Sequence, residues 1–366
     1  MDTAPQVSRI ASAVTPLAFP KGKKKLCELC ESEAHLQCTK CRVTYYCCAE
    51  HQQDDWEGIH ERICQFLVPI RTPTALQQGS CEENQIKKAE LIEICRLVAE
   101  SKLSEGKHQE MLPAAQFCLR CSIEVHGHHS VQLVPAFLLL AEANMGLGNL
   151  ALVKELLSQA EWEVLKSPEC GHSVHHRLHR SMGRFHATIG NLETALFHFA
   201  NDIYFATEEY GLDSTITCRG FFLLADVFVK QGKTLIAQSL YSEVVHAWHC
   251  RLTKLLENCM QNIQSPVKSS CSSYVATPQR VEVDEMLRAM LAFEQNHLMK
   301  NSAQIALLAH SLAMLWFLSG DSLKALGFGR TALQTSQLIP NHDLTGSIRS
   351  LLQLVQPETD QQPGSD

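Results

Sequence analysis

The chain has 366 residues, a formal net charge of −7, and 45% hydrophobic against 19% charged residues. That length suits two or three domains, the composition is that of an ordinary globular protein, and the negative balance excludes a global pull towards nucleic acid. No stretch reaches the roughly 18 unbroken apolar residues of a membrane span; the nearest, Ala303 to Leu318, is interrupted by Gln304 and His310 and is predicted to be a buried helix.

Residues 1–26 are predicted to be disordered. The apolar run Ile10 to Phe19 is broken by Pro16 and followed, not preceded, by Lys21, Lys23, Lys24 and Lys25. A signal peptide has the opposite order. The lysines are read as a solvated linker in preference to a nuclear-import patch.

Residues 27–64 carry the strongest signal. Cys27, Cys30, Cys38, Cys41, Cys47, His51, His60 and Cys64 are thiol or imidazole donors arranged as four pairs. Two pairs have the Cys-x2-Cys spacing of a zinc knuckle, and two are i,i+4 pairs that a helical turn brings to one face. Zinc takes four such donors in a closed structural site, so eight make two sites and predict two Zn2+ per chain. The four pairs can share two ions sequentially or interleaved, and spacing does not choose. Cys48, beside Cys47, is a rival donor. The chain has 16 cysteines, and the ten outside these pairs fall mostly in apolar helical stretches, where a thiol behaves as a small hydrophobe. That usage fits a reducing compartment and favours zinc over a disulfide framework.

The string from Cys27 to Cys64, with Tyr46-Cys47, His51-Gln52, Asp55-Trp56 and His60-x3-Cys64, resembles a MYND zinc finger. The resemblance implies interleaving: one ion on Cys27, Cys30, Cys47 and His51, the other on Cys38, Cys41, His60 and Cys64. It departs from the family at His51, where Cys is usual; His is an equally sound zinc ligand. It also implies a shallow groove for proline-rich peptides, with Gln52 and Trp56 in its wall and Tyr46 as a further exposed aromatic. A polyproline II segment has little entropy to lose and packs on such rings. From Lys21 to Cys64 there are seven Lys/Arg and eight Asp/Glu, so the finger lacks the basic face that phosphate binding requires.

Residues 65–84 are read as a linker, because Pro69, Pro73, Gly79 and Ser80 oppose a long helix. From 85 to 356 the pattern is helical and repeats. Gly148, Gly190 and Gly232 are spaced by 42 residues. Seven residues before each stand Ala141, Gly183 and Ala225; five after, Val153, Ala195 and Ala237; nine after, Leu157, Phe199 and Tyr241. Two antiparallel helices joined at the glycine explain this, with small residues permitting close approach and a large one filling the groove. A further copy comprises Ala313, Gly320, Ala325 and Gly329, and a degenerate one is placed over Asn84 to Gly127 with Ala115 and Leu119 at the matching positions. The pattern resembles tetratricopeptide repeats of the long, kinesin-light-chain type, clearest over 131–165, 174–207, 216–249 and 304–337. The implied fold class is mainly α: a tetratricopeptide-repeat α-solenoid preceded by a small two-zinc finger. Stacked pairs of this kind present a concave face to a protein partner. Residues 264–280 are predicted to be a mobile loop, and 357–366 an unstructured tail. The helix register between 250 and 300 is left open.

Two further signals are weighed. His172, His175, His176 and His179 follow helical spacing just after Cys170; they are read as an exposed helix face and not a metal patch, because no carboxylate completes a site nearby in sequence. Cys118-x2-Cys121 is read as packing, not redox chemistry.

MYND fingers also interrupt the SET domain of some lysine methyltransferases. Here only 26 residues precede Cys27, and the Asn-His-x-Cys cofactor motif is missing: Asn341-His342-Asp343 lacks the Cys. No phosphate loop or nucleophile motif is present. The sequence therefore predicts a non-catalytic adaptor with protein partners, no nucleic acid and no membrane. By resemblance it is cytoplasmic, in a cilium or flagellum axoneme and tied to dynein-arm assembly. The alternative is a nuclear corepressor-type adaptor.

Overall fold

A computed structural model describes residues 11–13, 24–72, 81–263, 277–296 and 300–355. The chain divides into two compact units, Met1–Ser181 and Met182–Asp366.

The first unit opens with a small antiparallel sheet of order β1-β2-β3. Its strands are β1 (Ala11–Ala13), β2 (Leu36–Cys38) and β3 (Tyr45–Tyr46). Leu36 pairs with Tyr46, and Ala11 pairs with Cys38. Helix α1 (Ala49–Asp55), a π-helical turn (Trp56–His60) and α2 (Glu61–Arg71) follow without a break. Then come α3 (Cys81–Ser104), α4 (His108–His126), α5 (Val134–Gly146) and α6 (Leu150–Leu165). Helices α3 and α4, α4 and α5, and α5 and α6 pack as successive neighbours. The division between units falls inside α7 (His172–Thr188).

In the second unit α8 (Leu192–Tyr210), α9 (Thr215–Lys230) and α10 (Thr234–Ile263) pack in sequence. They are followed by α11 (Thr277–Asn296), α12 (Ser302–Leu318), α13 (Ser322–Gln337) and α14 (Leu344–Val355), also packed neighbour to neighbour. Helix α12 also packs on α10, and their shared core holds Trp248, Leu252, Leu308 and Leu312. Adjacent helix pairs throughout make this a mainly α, helical-repeat arrangement behind an N-terminal finger. Helix α12 contains the long apolar run, and nearly all of it is buried. Among the described residues no helix is long and apolar enough to cross a membrane.

The 42-residue glycines do the same job each time. Gly148, Gly190 and Gly232 have φ of 77°, 83° and 75°, and Gly320 has 82°, the left-handed region that a side chain disfavours. After each, an N–H reaches back five residues, as from Asn149 to the Asn144 carbonyl at 3.0 Å and from Lys233 to Phe228 at 2.9 Å. This is the Schellman closure of a helix C-terminus. The small positions are needed where expected: a Cβ on Gly183 would stand 2.6 Å from the Phe199 ring.

Four expectations are corrected. Residues 1–26 include the ordered strand β1, because the free edge of β2 offers it a ladder. The 65–84 stretch is helical up to Arg71; Pro69 is tolerated since it is exposed, while Leu67 beside it is buried and holds α2 down. The 264–280 loop falls largely outside the described residues, but 277–280 already belong to α11. The degenerate repeat turns at Gly106, whose φ is 71°. Its inner positions are therefore Met111 and Ala115, both fully buried, not Ala115 and Leu119. The large and small residues have exchanged places there, which hid the register. Helix α10 continues past the repeat pattern to Ile263, and with α11 it fills the gap between the Gly232 and Gly320 copies.

Candidate metal centre

Both Cys-x2-Cys knuckles close in the same way. The N–H of Glu31 reaches the Cys27 carbonyl at 3.1 Å, and that of Arg42 reaches Cys38 at 3.0 Å. Glu31 and Arg42 adopt φ of 58° and 60°, which turns each pair of thiols back on one point. The remaining donors hang on the helical rod. Cys47 lies just ahead of α1, His51 is in its first turn, and His60 and Cys64 straddle the junction of the π turn with α2.

The eight donors gather into two clusters: Cys27, Cys30, Cys47 and His51; and Cys38, Cys41, His60 and Cys64. Within each, the ligand atoms lie within 4.8 Å of one another. This is the interleaved arrangement. In the first cluster His51 Nδ1 is 3.5 Å from Cys27 Sγ and 3.2 Å from Cys47 Sγ, and Cys30 Sγ is 3.6 Å from Cys47 Sγ. In the second, Cys38 Sγ is 3.9 Å from Cys64 Sγ, and His60 Nε2 is 3.6 Å from Cys41 Sγ. Zinc–sulfur bonds of about 2.3 Å place two tetrahedral sulfurs about 3.8 Å apart, with sulfur and nitrogen slightly closer. Both donor sets fit one zinc ion each. Cys48 Sγ approaches Cys47 at 3.5 Å but belongs to neither cluster.

The second cluster is wholly buried, whereas Cys30 in the first is exposed. Side-chain and backbone hydrogen bonds from Ser32 draw the Cys30 thiol down to about 6, and the Cys38 thiol draws Cys41 down to about 3. Thiolates are the form that binds metal.

Behind His60 stands Asp55. Its Oδ2 lies 3.5 Å from His60 Nδ1 and accepts a hydrogen bond from the Tyr46 hydroxyl at 2.7 Å. A carboxylate on the far nitrogen fixes which nitrogen is offered to the metal. The π turn makes this alignment. At 3.6 residues per turn, positions five apart diverge by about 140°; the wider π turn brings them back towards one face. Burial pushes the Asp55 carboxyl up to about 6 against the opposing pull of His60.

The finger is seated on the helices of its own unit. Arg71 grips Glu28 with two hydrogen bonds, 2.8 Å to Oε2 and 2.9 Å to Oε1. Arg120 of α4 adds 2.7 Å to Glu28 Oε1 and a second bond to the Glu28 carbonyl. The Phe117 ring lies against both guanidinium groups, at 5.7 and 5.8 Å. Burial alone would raise the Glu28 carboxyl, but the two arginines hold it below the ordinary carboxylate range. Gly58 of the π turn meets Pro113 of α4 with no room for a side chain.

Tyr46, Gln52 and Trp56 are not the exposed groove expected. Their exposures are 0%, 1% and 8%. They lie on the inward stripe of the rod and finger sheet, where Trp56 packs with Tyr46 and the cysteines. Lys40 covers the Trp56 ring from 4.3 Å. The histidines of α7 are not a uniformly exposed face either, since His176 is buried and only His172 is exposed. Cys118 and Cys121 are buried, and burial pushes their thiols up to about 11 and about 12. They pack, as expected. Asn341 to Asp343 form the turn between α13 and α14. Glu28, Gly58, Arg71 and Arg120 were not singled out from sequence, because nothing local marks a residue whose partner is on another element.

Residues 27–64 match the family model of the MYND finger. Egl nine homolog 1 from Homo sapiens is 46% identical over 43 residues, 12% of this chain and 10% of its own length. The homolog from Mus musculus is 46% identical over 50 residues, 13% and 12% of the two lengths. The chain thus covers about a tenth of these relatives. The crystal structure of BtubC (BKLC) from P. vanneervenii overlaps 75% of this chain and 97% of its own at 13% identity. The TM-score of that overlap is 0.31.

Proposed function

We propose that this chain is a non-catalytic adaptor in which a two-zinc finger caps a stack of tetratricopeptide-type helices, and the helices carry the partner. One ion rests on Cys27, Cys30, Cys47 and His51, the other on Cys38, Cys41, His60 and Cys64; both are structural, since four protein donors leave no open position. The zinc holds the rod and knuckles in the shape that meets α4. The observation that carries this reading is the seat itself: Glu28 held by Arg71 and Arg120, and Gly58 against Pro113. A finger used as a tethered peptide reader needs its aromatics free, and here Tyr46 and Trp56 are buried.

Candidate contact points on the helices are exposed aromatics. Phe197 and Tyr204 of α8 are 61% and 59% exposed and two turns apart on one face. In the other unit Trp162 of α6 is 57% exposed. Large apolar groups left in water on one face support a protein partner. The order of modules is similar to that of zinc finger MYND domain-containing protein 12, and on that resemblance we place the adaptor in the cytoplasm or axoneme, in dynein-arm assembly. Affinity purification of the tagged full chain from ciliated cells, with cross-links mapped by mass spectrometry, tests this. Axonemal partners cross-linked to the helices are expected, with loss of capture for Phe197→Ala combined with Tyr204→Ala. Nuclear partners, or cross-links confined to 27–64, would reverse the assignment. Incubation with a methyl donor and protein substrates is expected to yield no product above background.

A further inference from the structure

The two histidines of the finger differ at the nitrogen each turns away from its cluster. His60 offers Nε2 to the cysteines, and Asp55 stands 3.5 Å from its Nδ1. His51 offers Nδ1, and among the described residues nothing hydrogen-bonds its Nε2. A ligating histidine donates that second N–H to a carboxylate, a carbonyl or water. His51 is half-buried and lines a cleft where α1 and the first knuckle face α4. The acceptor for this N–H therefore comes from whatever enters the cleft.

The cleft exists because the finger is seated on α4. Leu29 of the knuckle and Leu112 and Pro113 of α4 supply its apolar surface. Gln109 and Gln116, two turns apart on one face of α4, present amides that bond no other described residue. Apart from the zinc donors, exposed Asp54 is the one charged side chain among the described lining residues. Three thiolates outweigh one zinc dication, so the loaded first site is anionic as well. The cleft measures about 130 Å³. That is below the roughly 300 Å³ at which small-molecule pockets begin, and it suits one side chain with a short length of backbone.

We propose that this seam is a binding cleft for an extended, basic–aliphatic peptide segment of the partner. The segment places a backbone carbonyl on the His51 Nε2–H and further main-chain groups on Gln109 and Gln116. An aliphatic side chain packs on Leu29 and Leu112. Alternate residues of an extended chain share a face, so a lysine or arginine two positions away reaches Asp54. In the adaptor reading, on which this rests, the helices carry the partner and the cleft adds a second, smaller grip.

The test uses full-length, reduced, zinc-loaded protein, immobilised and offered three pools of acetylated, amidated short peptides. Each pool fixes Leu and, two positions later, Arg, Gln or Glu, with the remaining positions randomised. The Arg pool is expected to be retained at least about fivefold over the Glu pool. Asp54→Asn should bring the pools together. Leu112→Ser, and Gln109→Ala combined with Gln116→Ala, should each lower retention of the Arg pool at least about fivefold. His51→Cys exchanges one zinc donor for another and leaves no N–H over the cleft. It should lower retention while elemental analysis still finds two zinc ions; if it loses zinc, the α4 variants decide the matter, since they touch no ligand. Cys250→Ser, which removes an exposed thiol elsewhere, should change nothing. Equal retention of the pools, preference for the Glu pool, or retention that survives the α4 variants overturns the proposal. Capture of the cellular partner is scored separately at Phe197 and Tyr204, so failure of the adaptor reading shows there and not in the peptide pools.

Discussion

Gly58 lies so close to Pro113 that a Cβ built on it would stand 2.7 Å from Pro113 Cγ and 3.0 Å from the Glu110 carbonyl oxygen. The π turn of the finger and α4 meet there nearly backbone to ring. Neither surface can retreat easily: Pro113 is buried inside α4, and Gly58 sits between Trp56 and His60. Finger and helices in this unit therefore share one interface, and loosening it should be felt on both sides.

A side chain at position 58 tests that directly. Gly58→Val should destabilise the chain by about 1–3 kcal/mol, the usual cost of overpacking a fixed contact. Zinc content should stay at two, because no ligand moves. Thermal denaturation followed by circular dichroism, alongside elemental analysis, separates the outcomes. An unchanged midpoint would show that the finger can lift off α4 freely.

The Glu28 network makes a complementary claim. The carboxylate is 11% exposed and answers two arginines at once. Glu28→Gln keeps the shape and removes the charge, leaving Arg71 and Arg120 facing each other without an anion. Breaking one partner of a buried pair typically costs about 3–5 kcal/mol; partial exposure of the arginines reduces this to about 2 kcal/mol here. Lys at position 120 should not substitute for Arg, since it cannot reproduce the two-pronged grip. Urea denaturation of Glu28→Gln and Arg120→Lys is the check, and wild-type stability in both would remove the network from the account of docking.

The two clusters should lose zinc at different rates. Cys30 is exposed, and Cys47 and His51 are half-buried, so a chelator can reach the first ion. Cys38, Cys41, His60 and Cys64 are all buried. Biphasic release is expected, with Cys30→Ser removing the fast phase. Cys38→Ser should lose the slow ion and also lower the thermal midpoint of the helices, because structural zinc contributes on the order of 10–16 kcal/mol per site and the finger's seat on α4 depends on its shape. A single release rate would contradict the asymmetry.

The eight donors were legible because zinc fixes residue type and spacing together, and both are local. Spacing did not say which pairs share an ion; the resemblance implied the interleaved sets, and those are the donors the folded chain gathers. The repeat glycines were legible for a similar reason: a left-handed turn selects glycine by itself. Gly106 escaped because Met111 and Ala115 reverse the large and small positions around it. The docking of the finger was illegible for a different reason. Arg71 and Arg120 reach Glu28 across 43 and 92 residues of sequence, and a charge marks no partner until the chain is folded. Tyr46 and Trp56 are turned inward for a nearer reason: they fill the finger's own small core with its cysteines.

Acid should weaken the second unit through a histidine pair. His249 Nε2 of α10 lies 3.0 Å from His310 Nδ1 of α12. Burial pushes both imidazoles down to about 4, with His246 acting further on His249 and His249 on His310. Beside them Thr253 and Met314 are uncharged and offer no counter-ion. The sign follows from proton uptake. In the unfolded chain each ring protonates near 6.5, and in the folded chain only near 4, so between these values the unfolded state binds more protons. Stability is therefore full above about pH 6.5 and declines as pH falls towards 4. One such ring accounts for roughly 3 kcal/mol across that window, and the pair for less than twice that, since the two rings share one hydrogen bond. Thermal midpoints should hold from pH 7.5 to about pH 6.5 and fall from there to pH 5. His310→Gln, which keeps a hydrogen-bonding group but cannot take a proton, should flatten the slope while lowering stability at neutral pH. If His310→Gln and the wild type fall in parallel, the pair is not the source of the acid sensitivity.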